Sequence, residues 1–289
     1  MVVNILKTTF LLIGLTTLLL CIGGLIGGST GIQMAFFLSF IMNGIAFFFS
    51  DRIVLSLYNA QPLDKIHYHW IYEIVKDLSY TMNIPVPKLW LITTPMANAF
   101  ATGRSPSKGS IAITTGILTI LDNEELRGVL AHELAHIKNR DTLITTIAAT
   151  IASAIGYLAY MLRHVALWGS LNSDRRKENP FVLLVISILM PFAAMLIQLA
   201  ISRSREYAAD DTGARCSRVP LALAGALEKL ENSTKNGSLN ADNMQQTSTA
   251  SLFIVHPFVS HSWSYLFATH PPIEKRIARL HQLSKKILS

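Results

Sequence analysis

His132 and His136 stand four residues apart with Glu133 between them. On an α-helix, positions i and i+4 share a face, so both imidazoles can grip one metal ion. Glu133 lies about 100° round the helix from His132, close enough to reach a water on that ion. Two imidazoles and a carboxylate base are the working parts of zinc-dependent peptide hydrolysis. A catalytic zinc usually takes three protein ligands and keeps one position for water, so a third donor is expected elsewhere.

The pentapeptide runs straight into a long apolar segment, and that placement shapes the rest of the reading. Of 289 residues 51% are hydrophobic and only 15% charged, against roughly 25% charged in an ordinary soluble domain. Four uncharged stretches, about 8–28, 32–49, 142–162 and 180–202, account for the deficit. Each is about long enough to cross ~30 Å of hydrocarbon as a helix, so four transmembrane helices are expected. Lys7 ahead of the first stretch is also how a signal peptide begins, but no small-x-small cleavage site stands out and a second apolar run follows at once. Gly23, Gly24, Gly27 and Gly28 have the spacing that lets helices pack closely in lipid.

Charge excludes other classes. Lys and Arg number 25 against 18 Asp and Glu, a net +7, yet the signs are mixed and form no nucleic-acid-binding stripe. Basic loops on the cytoplasmic side of a membrane explain the excess. The apolar stretches hold Gln33, Asn43 and Gln198 but no ionisable residue, which argues against a transporter. Cys21 and Cys216 lie in separate parts of the chain and suggest neither a disulfide framework nor a metal pair.

The expected architecture is a mainly α membrane protein whose zincin-like catalytic domain carries a small β-sheet. Residues 1–50 form one transmembrane hairpin and 142–202 a second; 51–141 and 203–289 are the two catalytic segments. Lys88–Thr93, Asn98–Thr102 and Ser110–Thr114 read as short strands, the last two joined by the turn-rich stretch 103–109. Asp122 followed by Glu125 reads as a capping box opening the helix that carries His132, with Leu126, Val129 and Leu130 on its apolar face. Helices are expected over 203–214, over 221–230 after Pro220, and over 273–287, the last with Ile273, Ile277 and Leu280 on one face. Glu231–Ser251, rich in Ser, Thr, Asn and Gln, reads as a surface loop.

Topology supplies the third ligand. If 142–202 is a hairpin, residues before it and after it face the same side of the membrane. Glu206 and Asp210 follow at once, again spaced i, i+4. Glu206 can ligate the metal, or it can pair with Arg203 or Arg205. Asp210 can accept the proton on the far nitrogen of a ligand histidine, a partner that metal-bound imidazoles usually have. Asp141 can serve either the site or a helix cap.

The run from His132 through Asp141, the segment Glu206-Tyr207-Ala208-Ala209-Asp210, Asn98-Ala99-Phe100-Ala101-Thr102-Gly103, and Thr269-His270-Pro271-Pro272 with Arg276 together resemble the M48 family of gluzincin metallopeptidases. Two spans on either side of a polar region are similar to its bacterial membrane members. The resemblance covers essentially the whole chain in order. It implies a multi-pass zinc endopeptidase of the bacterial inner membrane, cleaving damaged membrane or misfolded proteins at the cytoplasmic face as part of quality control under stress. By that resemblance, His132, His136 and Glu206 bind one zinc ion and Glu133 is the general base. Asn98 lies on an edge strand that pairs with extended substrate, while His270 and Arg276 are candidates for supporting the transition state or bracing the site. The implied partners are polypeptide substrates and the lipid bilayer, with no nucleic acid.

Two rival classes are distinguishable. An intramembrane protease of the site-2 type would bury the histidine motif within an apolar span, whereas Glu124, Glu125, Arg127, Lys138 and Arg140 flank this one. A zinc-stabilised membrane scaffold or sensor would bind metal without chelator-sensitive proteolysis. Orientation carries one conflict: Arg163, Arg175, Arg176 and Lys177 fall in the loop expected outside, against the positive-inside rule.

Overall fold

A computed structural model describes residues 2–151, 155, 203–236 and 271–288. The expected fourth span, about half of the third, and His270 lie outside the described residues. Eight helices can be named among them: α1 (Val2–Leu57), α2 (His69–Met82), α3 (Thr115–Ile120), α4 (Asn123–Asn139), α5 (Thr142–Ile151), α6 (Arg203–Ser217), α7 (Pro220–Asn236) and α8 (Ile273–Leu288). Four strands accompany them: β1 (Gln61–Pro62), β2 (Lys88–Ile92), β3 (Ala99–Thr102) and β4 (Ser110–Thr114).

The 56 residues of α1 do not run straight. Gly28 takes φ +55°, a left-handed conformation that glycine adopts without steric cost. Beyond it the chain doubles back. Gly23 and Gly31 lie in backbone contact, where a Cβ on either would strike the other's carbonyl, and Asn43 donates to Thr16 Oγ1 at 2.8 Å. The glycine cluster therefore does two jobs, turning and close packing. From Gly28 to Leu57 the helix is long and apolar enough to cross a membrane. Thr8–Cys21 and α5 are apolar but shorter. Leu15, Ala46, Ile144, Ile147, Ala148 and Ile151 gather the two arms of α1 and α5 into one apolar cluster.

The sheet has the order β1-β2-β4-β3, with β2 parallel to β4 and β3 antiparallel to β4. The hairpin expected from 98 to 114 is β3–β4, and β3 is an edge. Every residue of β3 and β4 is buried, because both faces of the sheet are covered. Ala99, Ala101, Ile111 and Ile113 face a core shared with α2, α4, α7 and α8. Phe100 and Ala112 point the other way, onto Val54 and Leu55 of α1 and Ala149 of α5. One side chain along a strand thus separates the catalytic core from the apolar helices.

β1, α2 and the short α3 were not anticipated, and α7 runs longer than expected. β1 is two residues long and carries no pattern. α2 buries Ile71, Val75, Leu78 and Met82 at helical spacing, a stripe the sequence did contain. α7 runs to Asn236, so Glu231–Asn236 is helix rather than loop; between Gly225 and Gly237 no glycine or proline interrupts it. Residues 237–251 lie outside the described ones.

Candidate functional site

The helix that carries the histidines starts as its sequence requires. Asp122 Oδ1 accepts from the Glu125 amide and Glu125 Oε2 from the Asp122 amide, each at 2.9 Å. Glu125 also accepts from Lys229 Nζ at 2.7 Å, tying α7 to the same turn. Leu126, Val129, Leu130, Leu134 and Ile137 are buried in the core, which turns His132, Glu133 and His136 toward β3 and α6. The helix does not continue into α5. It stops at Arg140, in the left-handed region at φ 58°, where the amides of Arg140 and Asp141 return to carbonyls of the last turn.

α6 brings the third donor. Glu206, Asp210, Gly213 and Ser217 form a buried stripe at helical spacing. The glycine sets the approach: a Cβ at Gly213 would lie 3.0 Å from the His132 amide nitrogen. Backbone meets backbone there, one turn along from Asp210 and two from Glu206.

The three expected ligand residues converge. His132 Nε2 and His136 Nε2 are 3.2 Å apart; His132 Nε2 lies 3.6 Å from Glu206 Oε2, and His136 Nε2 3.6 Å from Glu206 Oε1. Bonds of roughly 2.0–2.2 Å to a tetrahedral zinc place neighbouring donors roughly 3.3–3.5 Å apart. The two 3.6 Å distances end on different oxygens of the Glu206 carboxylate, and taking one donor atom from each residue the three lie within 4.8 Å of one another. Two imidazoles and a carboxylate also suit zinc chemically, so the residues present fit the ion.

Each histidine presents Nε2 to the triangle and turns Nδ1 to an aspartate. His132 Nδ1 lies 2.9 Å from Asp210 Oδ1, and His136 Nδ1 3.2 Å from Asp141 Oδ2. Such pairs fix the ring orientation and the tautomer. Asp210, 1% exposed, is gripped in turn by Arg276, 0% exposed, through Nε and Nη2 at 2.8 Å each. Arg276 Nη1 is 3.8 Å from Glu206 Oε2. The expected Asp210 contact is therefore in place, and Arg276 reaches the site both through that aspartate and directly, its Nη2 3.5 Å from the His132 ring nitrogens. Asp141, weighed as either cap or site residue, faces His136.

The electrostatics favour a cation at the triangle. Burial opposes a charged His132, but the Asp210 carboxylate that accepts from its ring and the nearby Glu206 carboxylate outweigh it and lift the ring's pKa to about 9. A proton and a metal ion answer to the same negative surroundings. Burial would raise Asp210, yet Arg276 and His132 hold it well below the usual carboxylate range. Burial raises Glu133, with the two histidines and the Ala101 amide acting against it.

Glu133 points at the sheet edge, where its Oε2 accepts from the Ala101 amide at 2.7 Å. In β3, Phe100 and Thr102 pair with β4, so the amide and carbonyl of Ala99 and Ala101 face outward. Asn98 is buried just before the strand, its backbone bonded both ways to Thr114. The Ala101–Glu133 bond was not foreseen, since 32 residues separate the pair and no pattern links them. α5 closes the far end of β3: Thr142 donates to the Gly103 carbonyl at 2.7 Å, and Thr146 and Thr102 hydroxyls meet at 3.0 Å.

Comparison with known proteins identifies the family. The family model described as Peptidase family M48 matches residues 66–284. A protein named Protease HtpX homolog, from Syntrophobacter fumaroxidans, is 49% identical over 280 residues, covering 96% of this chain and 98% of its own. Protease HtpX from Legionella pneumophila is 46% identical over 281 residues, covering 97% and 99%. Among solved structures, the crystal structure of S. mikatae Ste24p is similar with a TM-score of 0.47 and 17% identity, over 84% of this chain and 57% of that one. That last likeness is too slight to carry an argument; the sequence matches are not. With a family model spanning most of its length and relatives matched end to end, the chain belongs to peptidase family M48 and is a metallopeptidase.

Proposed function

We propose that the protein is a membrane-bound, zinc-dependent endopeptidase that cleaves membrane or misfolded proteins at the cytoplasmic face. The observation that carries the reading is the triangle of His132, His136 and Glu206, two imidazoles and a carboxylate whose donor atoms lie within 4.8 Å of one another, a set that suits one zinc ion. Zinc, when bound, supplies Lewis acidity and a water acidic enough to ionise near neutral pH. Glu133 takes that water's proton and returns it to the leaving amine. Its bond to Ala101 holds the carboxylate between the triangle and β3, the place a scissile peptide must occupy. Asp210 and Asp141 orient the ligand imidazoles, and Arg276 braces Asp210.

An extended substrate adds to the outer edge of β3, beside Asn98 and Ala99, next to the point where Glu133 takes the Ala101 amide. Main-chain pairing of that kind accepts many sequences, as clearance of damaged proteins demands. Membrane attachment rests on the apolar helix Gly28–Leu57 and on the unanticipated intimacy of sheet and helices at Phe100. The four-span topology, the inner-membrane location and a role for His270 at the site complete the reading.

The decisive experiment measures zinc content and proteolysis of detergent-purified protein beside Glu133→Gln and Glu206→Ala. Glu133→Gln should keep zinc and lose cleavage by roughly 10²–10⁴-fold. Glu206→Ala should lose zinc. Parental cleavage by the first or parental zinc affinity in the second would overturn the assignments.

A further inference from the structure

The apolar helix of α1 ends in a basic, aromatic collar that the peptidase chemistry does not use. Phe48 and Phe49 are 56% and 47% exposed near that end. Arg52 places its guanidinium carbon 5.8 Å from the Phe49 ring centre, and Arg104 places its own 5.4 Å from that of Phe48. Arg104 arrives from elsewhere: it lies in the loop between β3 and β4, directly after the edge strand. Phe48 and Arg52 are spaced i, i+4, so the two arginines approach one side of the helix.

Both arginines are exposed, and among the described residues neither has a carboxylate within ion-pair distance. The acid adjacent in sequence, Asp51, projects about 100° round the helix from Arg52. Exposed Lys108 adds a third positive charge on the same loop. Beside Arg52 opens a cleft of about 600 Å³, lined by Phe49, Ile53, Ser56, Leu57 and Asn59. Its lining mixes apolar side chains with a guanidinium, a hydroxyl and an amide. The exposed side chains of Met34, Phe37, Phe40 and Ile41 lie along the same helix toward its start.

We infer that Arg52 and Arg104 bind the phosphate of an anionic phospholipid, with its acyl chains along the exposed apolar surface of α1. A guanidinium matches a phosphate with two parallel hydrogen bonds and sheds water readily when stacked on a ring. Aromatic and basic side chains at the end of a membrane helix meet the bilayer at headgroup depth. The loop that carries Arg104 is the far end of β3, so a bound lipid pins the substrate-pairing edge to the membrane surface. An acidic leaflet would thereby hold the edge strand where membrane-protein segments emerge.

The inference rests on reading Gly28–Leu57 as membrane-spanning, and the test separates the two. The zinc-loaded full chain in uncharged detergent receives short-chain phosphatidylglycerol, short-chain phosphatidylcholine or inorganic phosphate, and the thermal midpoint is followed as a binding readout. Phosphatidylglycerol alone should raise the midpoint. The double variant R52Q/R104Q should need about thirtyfold more of it, from roughly one unit charge of surface attraction lost at each position. Cleavage of a soluble unstructured peptide in the same detergent should stay parental.

Equal stabilisation by the two lipids, an equal effect of phosphate alone, or a parental response in the double variant would each overturn the site. If R52Q/R104Q fails to fold, the comparison of lipids on the parent protein decides. Flotation with phosphatidylcholine vesicles tests the membrane reading by itself. A parent that fails to float sinks that reading; one that floats without preferring the anionic lipid sinks only this site.

Discussion

Replacing Arg276 with methionine tests how the site is braced. Arg276 and Asp210 are 0% and 1% exposed and share two hydrogen bonds of 2.8 Å. Methionine fills much of the volume but leaves Asp210 buried without its cation, which costs about 3–5 kcal/mol. The same aspartate holds His132 Nδ1 at 2.9 Å, so its displacement also weakens zinc, by roughly 10–100-fold. Asp210→Asn should give a loss of similar size from the other side. The double variant D210N/R276M should cost less than the two single losses added together, with a coupling of about 2 kcal/mol. Stability is read on the chelator-treated protein by denaturation in detergent, and zinc affinity by competition with a chromogenic chelator. Additive losses would refute the pairing. An R276M protein with parental stability and zinc affinity but depressed kcat would instead place Arg276 on the reacting atoms.

Three further outcomes are expected. Asp141→Ala should weaken zinc binding by roughly 10–100-fold while the fold persists, because His136 Nδ1 loses its acceptor; an unchanged affinity returns Asp141 to helix capping. Gly213→Val should push α6 off α4 against the His132 amide, costing about 1–3 kcal/mol and weakening zinc in parallel. A valine variant with parental stability and zinc affinity would refute the backbone contact. His132, raised from 6.5 to about 9 in the metal-free fold, contributes stability that is full below 6.5 and lost as pH rises through about 9. Zinc displaces that proton, so affinity should climb up to about tenfold per pH unit across the same window and level off above it; an affinity flat across the window would remove the proton from the site.

How far the sequence reveals this site depends on whether a contact is local. His132, Glu133 and His136 are legible because one helix turn relates them, and the Asp122–Glu125 cap because three residues do. Glu206 is reached by a coarser step, from the expectation that the apolar stretches between it and α4 double back. Arg276 is 66 residues from Asp210 and joins it only when α8 packs against α6 and α7. A sign was present: Arg276 lies three residues after Ile273 and four before Leu280, inside the apolar stripe of its own helix. A cation in such a stripe requires a buried partner. The break at Arg140 had a weaker sign, since no glycine or proline announces it and only Asp141, readable as a helix cap, marks a new start.

The sheet illustrates the harder limit and also what the fold achieves. Period-two alternation marks a strand only when one of its faces meets water, and β3 and β4 have neither face exposed. Alternate residues of β3 serve two different structures instead. Ala101 gives its amide to Glu133 and its side chain to the core beneath α4. Phe100, one residue earlier, is packed against α1 and α5, and Thr102, one residue later, meets Thr146 of α5. A shift of α5 relative to α4 is therefore felt at β3, and through β3 at the carboxylate of Glu133. The helical break at Arg140 lets α4 and α5 take different directions, and β3 links them beside the His136–Asp141 contact. In this arrangement the apolar helices do more than anchor the peptidase: they help set the position of the strand that holds its general base.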